Sequence, residues 1–318
     1  MTPQVFLVGL GAGIAAALLF MAPIGGTVIA FPLFLLTGLP IGIVGLGWGV
    51  VAAGVAALAG AAVIYVAVSW ITATVFLILF GAPIIWLARL ALMSRPGDQG
   101  SSAGAREWYP IGRLLMHAAA AAAIALVLTG MLIGFNPAAL TREISSALVS
   151  LLASLQEVGR PPTVADVAPY VRFNVAVIPV TVGALMVFVL VIDLWLAAVV
   201  ARASGRLARP AQPLWTVVLP PYALIAFGVG VLMVLLLGGG IQEVGKVVLG
   251  TFGGAVALQG LAVLHALTRG MGGRGVLLAI TYILIVLPGF PLVLFAIAGV
   301  AENFLQLRAR RFRGAPPV

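Results

Sequence analysis

Residues 186–206 read MVFVLVIDLWLAAVVARASGR, and this stretch decides the fold class of the protein. One aspartate, Asp193, interrupts an apolar run that ends at Arg202 and Arg206. A helix that crosses a membrane needs about 20 apolar residues, and arginines gather beyond the cytoplasmic end of such helices. The stretch therefore predicts a transmembrane helix whose C-terminal end faces the cytoplasm.

The composition extends this prediction to the whole chain. Its 318 residues are 63% hydrophobic and only 8% charged, with a mean hydropathy of +1.23. A soluble domain carries roughly 25% charged residues, so this chain has too few polar groups to cover a globular surface. The predicted fold is all-α, a polytopic transmembrane helix bundle. No Lys or Arg precedes the first apolar run, which predicts a retained first helix rather than a cleaved signal peptide.

The net charge of +9 comes from short arginine clusters that lie between apolar runs. This is the pattern of cytoplasmic connections in membrane proteins, and it predicts a bacterial inner-membrane protein with both termini in the cytoplasm. The bilayer is then the expected partner and nucleic acid is not. The clusters are Arg95, Arg106 and Arg113; Arg202, Arg206 and Arg209; Arg269 and Arg274; and Arg308, Arg310, Arg311 and Arg313.

Eight to ten spanning segments are expected, several of them short or broken by proline. Two regions are awkward: residues 26–38 are short and contain Pro32, and residues 275–307 predict two short helices, 276–287 and 291–307, around a turn at 288–291. If both regions cross fully, the total is ten. Seven other segments are long enough to span: 4–22, 41–66, 69–92, 113–134, 174–201, 214–237 and 245–268.

Two pieces outside the membrane divide the chain. A Gly-, Ser- and Pro-rich stretch over 93–112 predicts a flexible cytoplasmic linker between an N-terminal transmembrane subdomain, 1–92, and a C-terminal one, 113–311, with a tail at 312–318. Leucines at helical spacing over 138–158 predict an amphipathic helix on the outer side. It either lies in the membrane interface or packs across the top of the bundle.

Glycines four residues apart predict close helix packing, because small side chains let helix backbones approach each other in lipid. The pairs are Gly9 with Gly13, Gly38 with Gly42, Gly45 with Gly49, Gly130 with Gly134, and Gly250 with Gly254.

Polar residues inside the spans are the candidate site. An intramembrane carboxylate is costly unless it is paired, so Asp193 is the first candidate for ligand or proton handling. The alternative is a structural role, as a bridge to Arg89 or a bond to Gln259. Glu302 and Asn303 add a polar patch on the last helix, so the candidate set is Asp193, Gln259, Glu302, Asn303 and Arg89.

Several functions are disfavoured by the sequence. The chain has no cysteine and two histidines, which argues against a metal site and disulfides. Gly240, Gly245 and Lys246 match part of a phosphate-binding loop, but Val247 replaces its Ser or Thr. We therefore expect no ATPase, no cofactor and no catalytic residues, and predict that the protein is not an enzyme.

The stretches PIGGTVIAFPLFLLTGLPIGIVGLGWG (23–49) and LPGFPLVLFAIAGVAENFLQLRAR (287–310) resemble the YybS-like family of uncharacterised bacterial membrane proteins. That family is distantly similar to the substrate-binding membrane subunits of energy-coupling-factor transporters. In those subunits small residues on the first helix dock the energising module. The resemblance implies that role for Ala12 with Ala16, and for Gly9 with Gly13.

Two functions remain open from the sequence. The first is a transporter-like cavity that binds or moves a small or lipid-like ligand. The second is a non-transporting scaffold or assembly factor for other membrane or cytoplasmic proteins.

Overall fold

A computed structural model describes residues 2–96, 106–155, 162–286 and 290–312. Almost all of these residues are helical, and two short strands pair between α6 and α7. The helices are α1 Pro3–Met21, α2 Ala30–Leu35, α3 Gly38–Trp48, α4 Val50–Ala67, α5 Trp70–Phe76, α6 Ala82–Leu92, α7 Ile111–Ile133, α8 Pro137–Leu155, α9 Val164–Ala203, α10 Pro221–Leu236, α11 Gly239–Leu267, α12 Arg274–Val286, α13 Phe290–Leu305 and α14 Leu307–Phe312.

The predicted polytopic helix bundle is confirmed. Within the described ranges, seven helical segments are long and apolar enough to cross a membrane, and three shorter apolar helices accompany them. Large apolar side chains are exposed along the outside, among them Val28 at 97% and Val66 at 84%. Contact of apolar side chains with water is unfavourable, so these surfaces are in contact with the lipid bilayer.

The prediction of one span over 41–66 is wrong. The chain reverses at Gly49, whose φ of +97° is a conformation that side chains with a Cβ rarely adopt. Gly49 ends α3 and begins α4, so it forms a turn and no helix packs against it. The short segment 26–38 instead continues into α3, and Ala30–Trp48 together is one of the seven candidate spans.

Close contacts set the direction of the N-terminal helices. Gly38 in α3 lies beside Ile84 in α6 and Asp193 in α9, and Gly42 lies beside Ala197 one turn further along α9. Helices α3, α6 and the C-terminal half of α9 therefore run in the same direction. Helices α1 and α4 run together in the opposite direction, since α3 and α4 meet at the Gly49 turn.

Other glycines make the predicted close approaches. A Cβ at Gly9 would lie 3.0 Å from the carbonyl oxygen of Ala52, and one at Gly13 would meet that of Ala56. Ala16 is fully buried and Ala12 half-buried. Helix α4 therefore packs against the face of α1 that carries Gly9 and Gly13.

The remaining predicted packing residues lie between helices. Gly45 sits between Ala88 and Ala53, with added Cβ distances of 3.0 and 3.2 Å. In α11, Gly250 lies against the backbone of Val180 and Gly254 against that of Ala184, both on α9. Backbone contact of this kind is the typical helix interface in lipid.

Prolines are accommodated by local changes of helix geometry. Pro83 removes one donor from the ladder, and the turn before it, Leu77–Gly81, is a π-helix that joins α5 to α6. Helix α9 contains Pro169 and Pro179 and still runs for 40 residues. That length corresponds to about 60 Å, twice the hydrocarbon core of a bilayer. Helix α9 begins at Val164, ten residues before the predicted segment 174–201, with a capping box formed by Thr163 and Asp166.

Helix α11 is the centre of the C-terminal half, where it contacts α7, α9, α10 and α13. The predicted span 214–237 is shorter than expected, because α10 begins only at Pro221. The preceding residues 207–219, called the strap here, are largely extended around one short 3-10 turn, Leu214–Thr216. Leu207, Arg209, Val217 and Leu219 of the strap are buried, so the strap is part of the folded core.

The pieces outside the bundle differ in part from expectation. Both ends of the predicted linker pair as a hairpin, β1 Ser94–Pro96 with β2 Arg106–Trp108. The outer amphipathic helix is α8, which packs against α9. Four predicted pieces lie outside the described residues: the linker centre (97–105), the end of the amphipathic helix (156–158), the first half of the last turn with the residue before it (287–289), and the tail after Phe312.

Arginines of the last three clusters lie at one end of the bundle, next to the segment that carries the first cluster. Arg209 donates to the carbonyl oxygens of Ala91 and Tyr109, next to the first cluster. Arg206 stacks on Trp48, 4.2 Å from the ring centroid. Trp215 of the strap is covered by Arg269 and its carbonyl oxygen accepts a bond from Arg308. We call this end the arginine face.

Candidate functional site

Asp193 is completely buried where α9 meets the start of α3. Its Oδ2 accepts a hydrogen bond of 2.9 Å from the backbone N–H of Gly38, the first residue of α3, and its Oδ1 has no partner. The N-terminus of a helix presents unpaired N–H groups and a partial positive charge, so a carboxyl group stabilises it. Asp193 thus acts as a helix cap from 155 positions away.

The structural alternatives for Asp193 named two other partners, and it bonds to neither. Arg89 is exposed on α6, with its guanidinium 5.9 Å from the ring of Trp86. Gln259 is fully buried in α11, where it accepts from the N–H of Leu219 at 2.6 Å and donates to the carbonyl oxygen of Gly299 at 2.7 Å.

The polar patch on α13 has partners as well. Asn303 donates to the same Gly299 carbonyl oxygen, at 3.0 Å. Glu302 accepts a bond of 2.8 Å from Nε of Arg308, which also donates to the backbone of Trp215 and Val217 in the strap. The structure therefore brings Gln259 and Asn303 together around one carbonyl group, and holds Glu302 with Arg308 and Asp193 with Gly38.

Two cavities lie beside the strap, and none of the five predicted polar residues lines either of them. The larger cavity has a volume of about 700 Å³ and lies between α7, α9, α11, α12 and the strap. Its walls are mostly apolar. They are formed by Ile111, Leu115, Phe188, Val191, Ile192, Trp195, Pro213, Leu214, Trp215, Val217, Leu258, Leu261 and Ala262, with Gln212, His265, Arg274 and Tyr282 as polar members.

A smaller cavity of about 160 Å³ adjoins the larger one toward α3 and α6. We call the two together the groove. Arg202 and Arg209 line its smaller part. The residues common to both parts are Ile111, Leu115, Val191, Trp195, Gln212 and Leu214.

The polar groups of the larger cavity lie where α11 and α12 meet. His265 and Tyr282 form a hydrogen bond of 2.8 Å between Nε2 and the hydroxyl group. Arg274, the first residue of α12, has a buried Nε without a hydrogen-bond partner. A few polar groups in a mostly apolar pocket are typical of ligand sites, where they fix the orientation of the ligand.

Two arginines in the smaller cavity are close enough to affect each other. Arg209 is 7% exposed, and burial, followed by the positive charge of Arg202, lowers the pKa of Arg209 from its usual value. Its guanidinium donates to the carbonyl oxygens of Ala91 and Tyr109 and to Oε1 of Gln212. Nε of Arg202 is buried and has no hydrogen-bond partner.

The strap closes the groove on the arginine face and is held at both ends. Arg209 ties its first part to the ends of α6 and the hairpin. Arg308 binds the carbonyl oxygens of Trp215 and Val217, at 2.7 and 3.0 Å. Gln212, Leu214 and Trp215, which lie between these anchors, form the groove wall.

Sequence reasoning missed the groove residues for a specific reason. Arg202, Arg209 and Arg274 were read as orientation signals, since arginines at the ends of spans are common in membrane proteins. The absence of acidic residues near these arginines in sequence is a signal that singles them out: no Asp or Glu lies between Asp193 and Glu243, or between Glu243 and Glu302. The motif with Lys246 lies in helix α11, where Lys246 pairs with Glu243 at 2.6 Å.

Comparison with family models, with curated proteins and with solved structures finds no match to this chain, so its resemblance to the YybS-like family stays a prediction.

Proposed function

We propose that this integral membrane protein binds an amphipathic, lipid-like ligand in the groove, without an ATPase of its own. The observation that carries the proposal is the larger cavity, about 700 Å³ with apolar walls and a few polar side chains. Ligand sites in proteins typically measure about 300–1,000 Å³ and have this mixture of walls.

The composition of the groove favours a ligand with a long apolar part. Phe188, Ile192 and Leu258 present only hydrocarbon to the cavity, whereas Gln212 of the strap and Arg274 at the start of α12 are polar. A molecule that is apolar along its length and polar at one end matches both sets of side chains. A small, fully polar solute would leave most of these walls without a suitable contact.

The test is native mass spectrometry of the protein extracted in a mild neutral detergent. We expect a co-purifying amphipathic molecule bound to the intact protein. Val191→Phe adds bulk where both parts of the groove meet, so it should reduce the bound fraction.

Val199→Phe is the matched control, because Val199 lies on the same helix, is 41% exposed and does not line the groove. The control should retain the ligand. Equal retention by both variants, or a stoichiometric protein partner with no small molecule, would contradict the proposal. The second result would favour the scaffold function.

We also propose that the protein resides in a bacterial inner membrane with the arginine face in the cytoplasm, as the arginine distribution favours. The chain has no cysteine, so a single introduced thiol is unique. Ser204→Cys lies at the arginine face and Ser146→Cys on exposed α8, beyond the far end of α7. A membrane-impermeant maleimide added to intact cells should label Ser146→Cys and leave Ser204→Cys unlabelled; the reverse pattern would overturn the orientation.

A further inference from the structure

We infer that the groove holds an anionic, phosphate-type headgroup beside Arg202, with the positive charge of Arg209 behind it. This rests on the proposed function, because the groove must first accept the apolar part of the ligand. It adds the chemical class of the headgroup and the residue that binds it.

The side chains that line the groove carry positive charge without negative charge. Arg202, Arg209 and Arg274 line it, and no carboxylate does. The ion pairs among the described residues are Arg95 with Glu107, Lys246 with Glu243 and Arg308 with Glu302, so none involves a groove arginine. A partly buried positive charge without a counter-charge is costly, and an anion that enters the groove removes that cost.

The two neighbouring arginines of the smaller cavity, Arg202 and Arg209, have different roles. Arg209 already has three acceptors, at 2.7 to 3.0 Å, so three of its five N–H donors are used within the protein. These acceptors are neutral carbonyl groups, which leave its charge uncompensated. Arg209 therefore contributes positive charge at a position that these three bonds fix.

Arg202 has hydrogen-bonding capacity left. It lines the smaller part of the groove, and its buried Nε has no partner, one of seven such side-chain atoms in the described residues. A guanidinium presents Nε and Nη donors in a planar fork that matches two oxygens of a phosphate group. Because a second cation lies close by, an oxyanion is preferred there over a neutral hydroxyl group.

Arg274 is the weaker candidate for the same headgroup. It lies at the other side of the larger cavity, near the His265–Tyr282 pair, and no second arginine lines that side. A headgroup at Arg202 also places the apolar part of the ligand along Val191 and Trp195 into the larger cavity, since these two residues line both parts.

The experiment compares two probes with the same apolar chain, dodecyl phosphate and dodecanol, added to the purified full-length protein. Binding is followed by native mass spectrometry, with inorganic phosphate as a third probe. We expect dodecyl phosphate to bind more tightly than dodecanol. Arg202→Gln should weaken dodecyl phosphate at least about tenfold and leave dodecanol unchanged, because one charge-assisted interaction is lost.

Two variants keep the result interpretable. Arg202→Lys retains the charge without the fork and should lie between the wild type and Arg202→Gln. Arg310→Gln makes the same charge change on exposed α14, outside the groove, and should bind both probes as the wild type does. Melting temperatures measured alongside show whether each variant is folded.

Failure of the inference and failure of the proposed function have different signatures. If neither probe binds the wild type, the proposed function is wrong. If both probes bind equally and Arg202→Gln changes neither, the groove takes an apolar ligand and the headgroup inference is wrong. The inference also fails if Arg274→Gln causes the loss instead, or if inorganic phosphate binds as tightly as dodecyl phosphate, which would assign the site to a free anion.

Discussion

Two buried polar regions of this protein lie close together along α9 and have opposite character. At Asp193 the carboxyl group meets a backbone N–H, and Gly38 and Gly42 bring α3 against the helix with little space between them. Two turns later, at Arg202, the helix borders a cavity and a buried guanidinium nitrogen has no partner. The first region holds two helices together, and the second leaves a hydrogen-bond donor without a partner in the protein.

The comparison shows that burial of an ionisable residue in a membrane protein does not by itself indicate a ligand site. Asp193 is buried more deeply than Arg202, and both residue types are costly to place in a membrane. Its contact with the helix start gives it a structural role. A cavity, together with unmatched charge of one sign, is the better indicator of a ligand site. Gln259 belongs with Asp193, since both of its amide atoms have backbone partners.

The largest expected effect comes from removing Gln259. In Gln259→Leu the buried N–H of Leu219 loses its acceptor, whereas the Gly299 carbonyl group keeps Asn303. We expect the free energy of unfolding to fall toward the upper end of about 1–3 kcal/mol, the cost of an unsatisfied buried group. Thermal unfolding in detergent measures it.

Gln242→Leu is the matched control, because Gln242 is only partly buried and makes one bond, to the Val234 carbonyl oxygen. It should lose clearly less stability. If the two variants are equally stable, Gln259 does not hold the strap to α11 and α13, and it does not share the structural role of Asp193.

The next effect is at the α3–α9 contact. A Cβ added at Gly38 would lie 2.6 Å from Oδ2 of Asp193 and 2.9 Å from Cγ1 of Ile84, so Gly38→Ala should cost about 1–3 kcal/mol of stability. Gly11→Ala has nothing within 4 Å of its new methyl group and should be neutral or stabilising. Melting temperatures of the two alanine variants compare them directly; no difference would mean that the two helices are not in close contact.

A smaller effect is expected from Asp193 itself. Asp193→Ala removes the cap of α3, for a loss of about 1 kcal/mol, whereas Asp193→Asn keeps an oxygen that can accept from Gly38. Both variants should bind dodecyl phosphate as the wild type does, since Asp193 does not line the groove. Loss of dodecyl phosphate binding in a folded Asp193→Asn protein would mean that Asp193 belongs to the ligand site and is not a purely structural residue.

The smallest effect involves an ion pair at the surface, between Arg95 and Glu107, in contrast to the two buried polar regions. The hydrogen bond from Arg95, 2.6 Å long, lowers the pKa of Glu107 below its usual value. A lowered folded-state pKa means that the pair stabilises the hairpin fully above the usual pKa of Glu107 and stops doing so as the pH falls through the lowered value. Amide exchange in β1 and β2, corrected for intrinsic rates, should show slightly less protection at roughly pH 3 than at neutral pH. Glu107→Gln should remove this pH dependence.

Much of the fold could be predicted because hydrophobicity and charge act locally along a membrane protein. The C-terminal ends of α1, α6, α7 and α11 lie within one residue of their predicted positions, since each ends an apolar run that polar residues, proline or glycine follow. The error at Gly49 arose where an apolar run continues through a turn. In water a turn is marked by polar residues, but between two helices in lipid it can be made by a single glycine with positive φ.

By itself, the sequence determined that this is a membrane helix bundle with most of its arginines in short clusters between the spans, because both properties follow from composition and spacing. Only the tertiary structure decided which polar residues meet. A helix in lipid is apolar on its inner and outer sides alike, so its sequence carries little periodicity to show which face packs inward. The partner of Asp193 is a backbone N–H, which no residue type reveals, and the groove beside Arg202 exists only because α7, α9, α11 and the strap leave space between them.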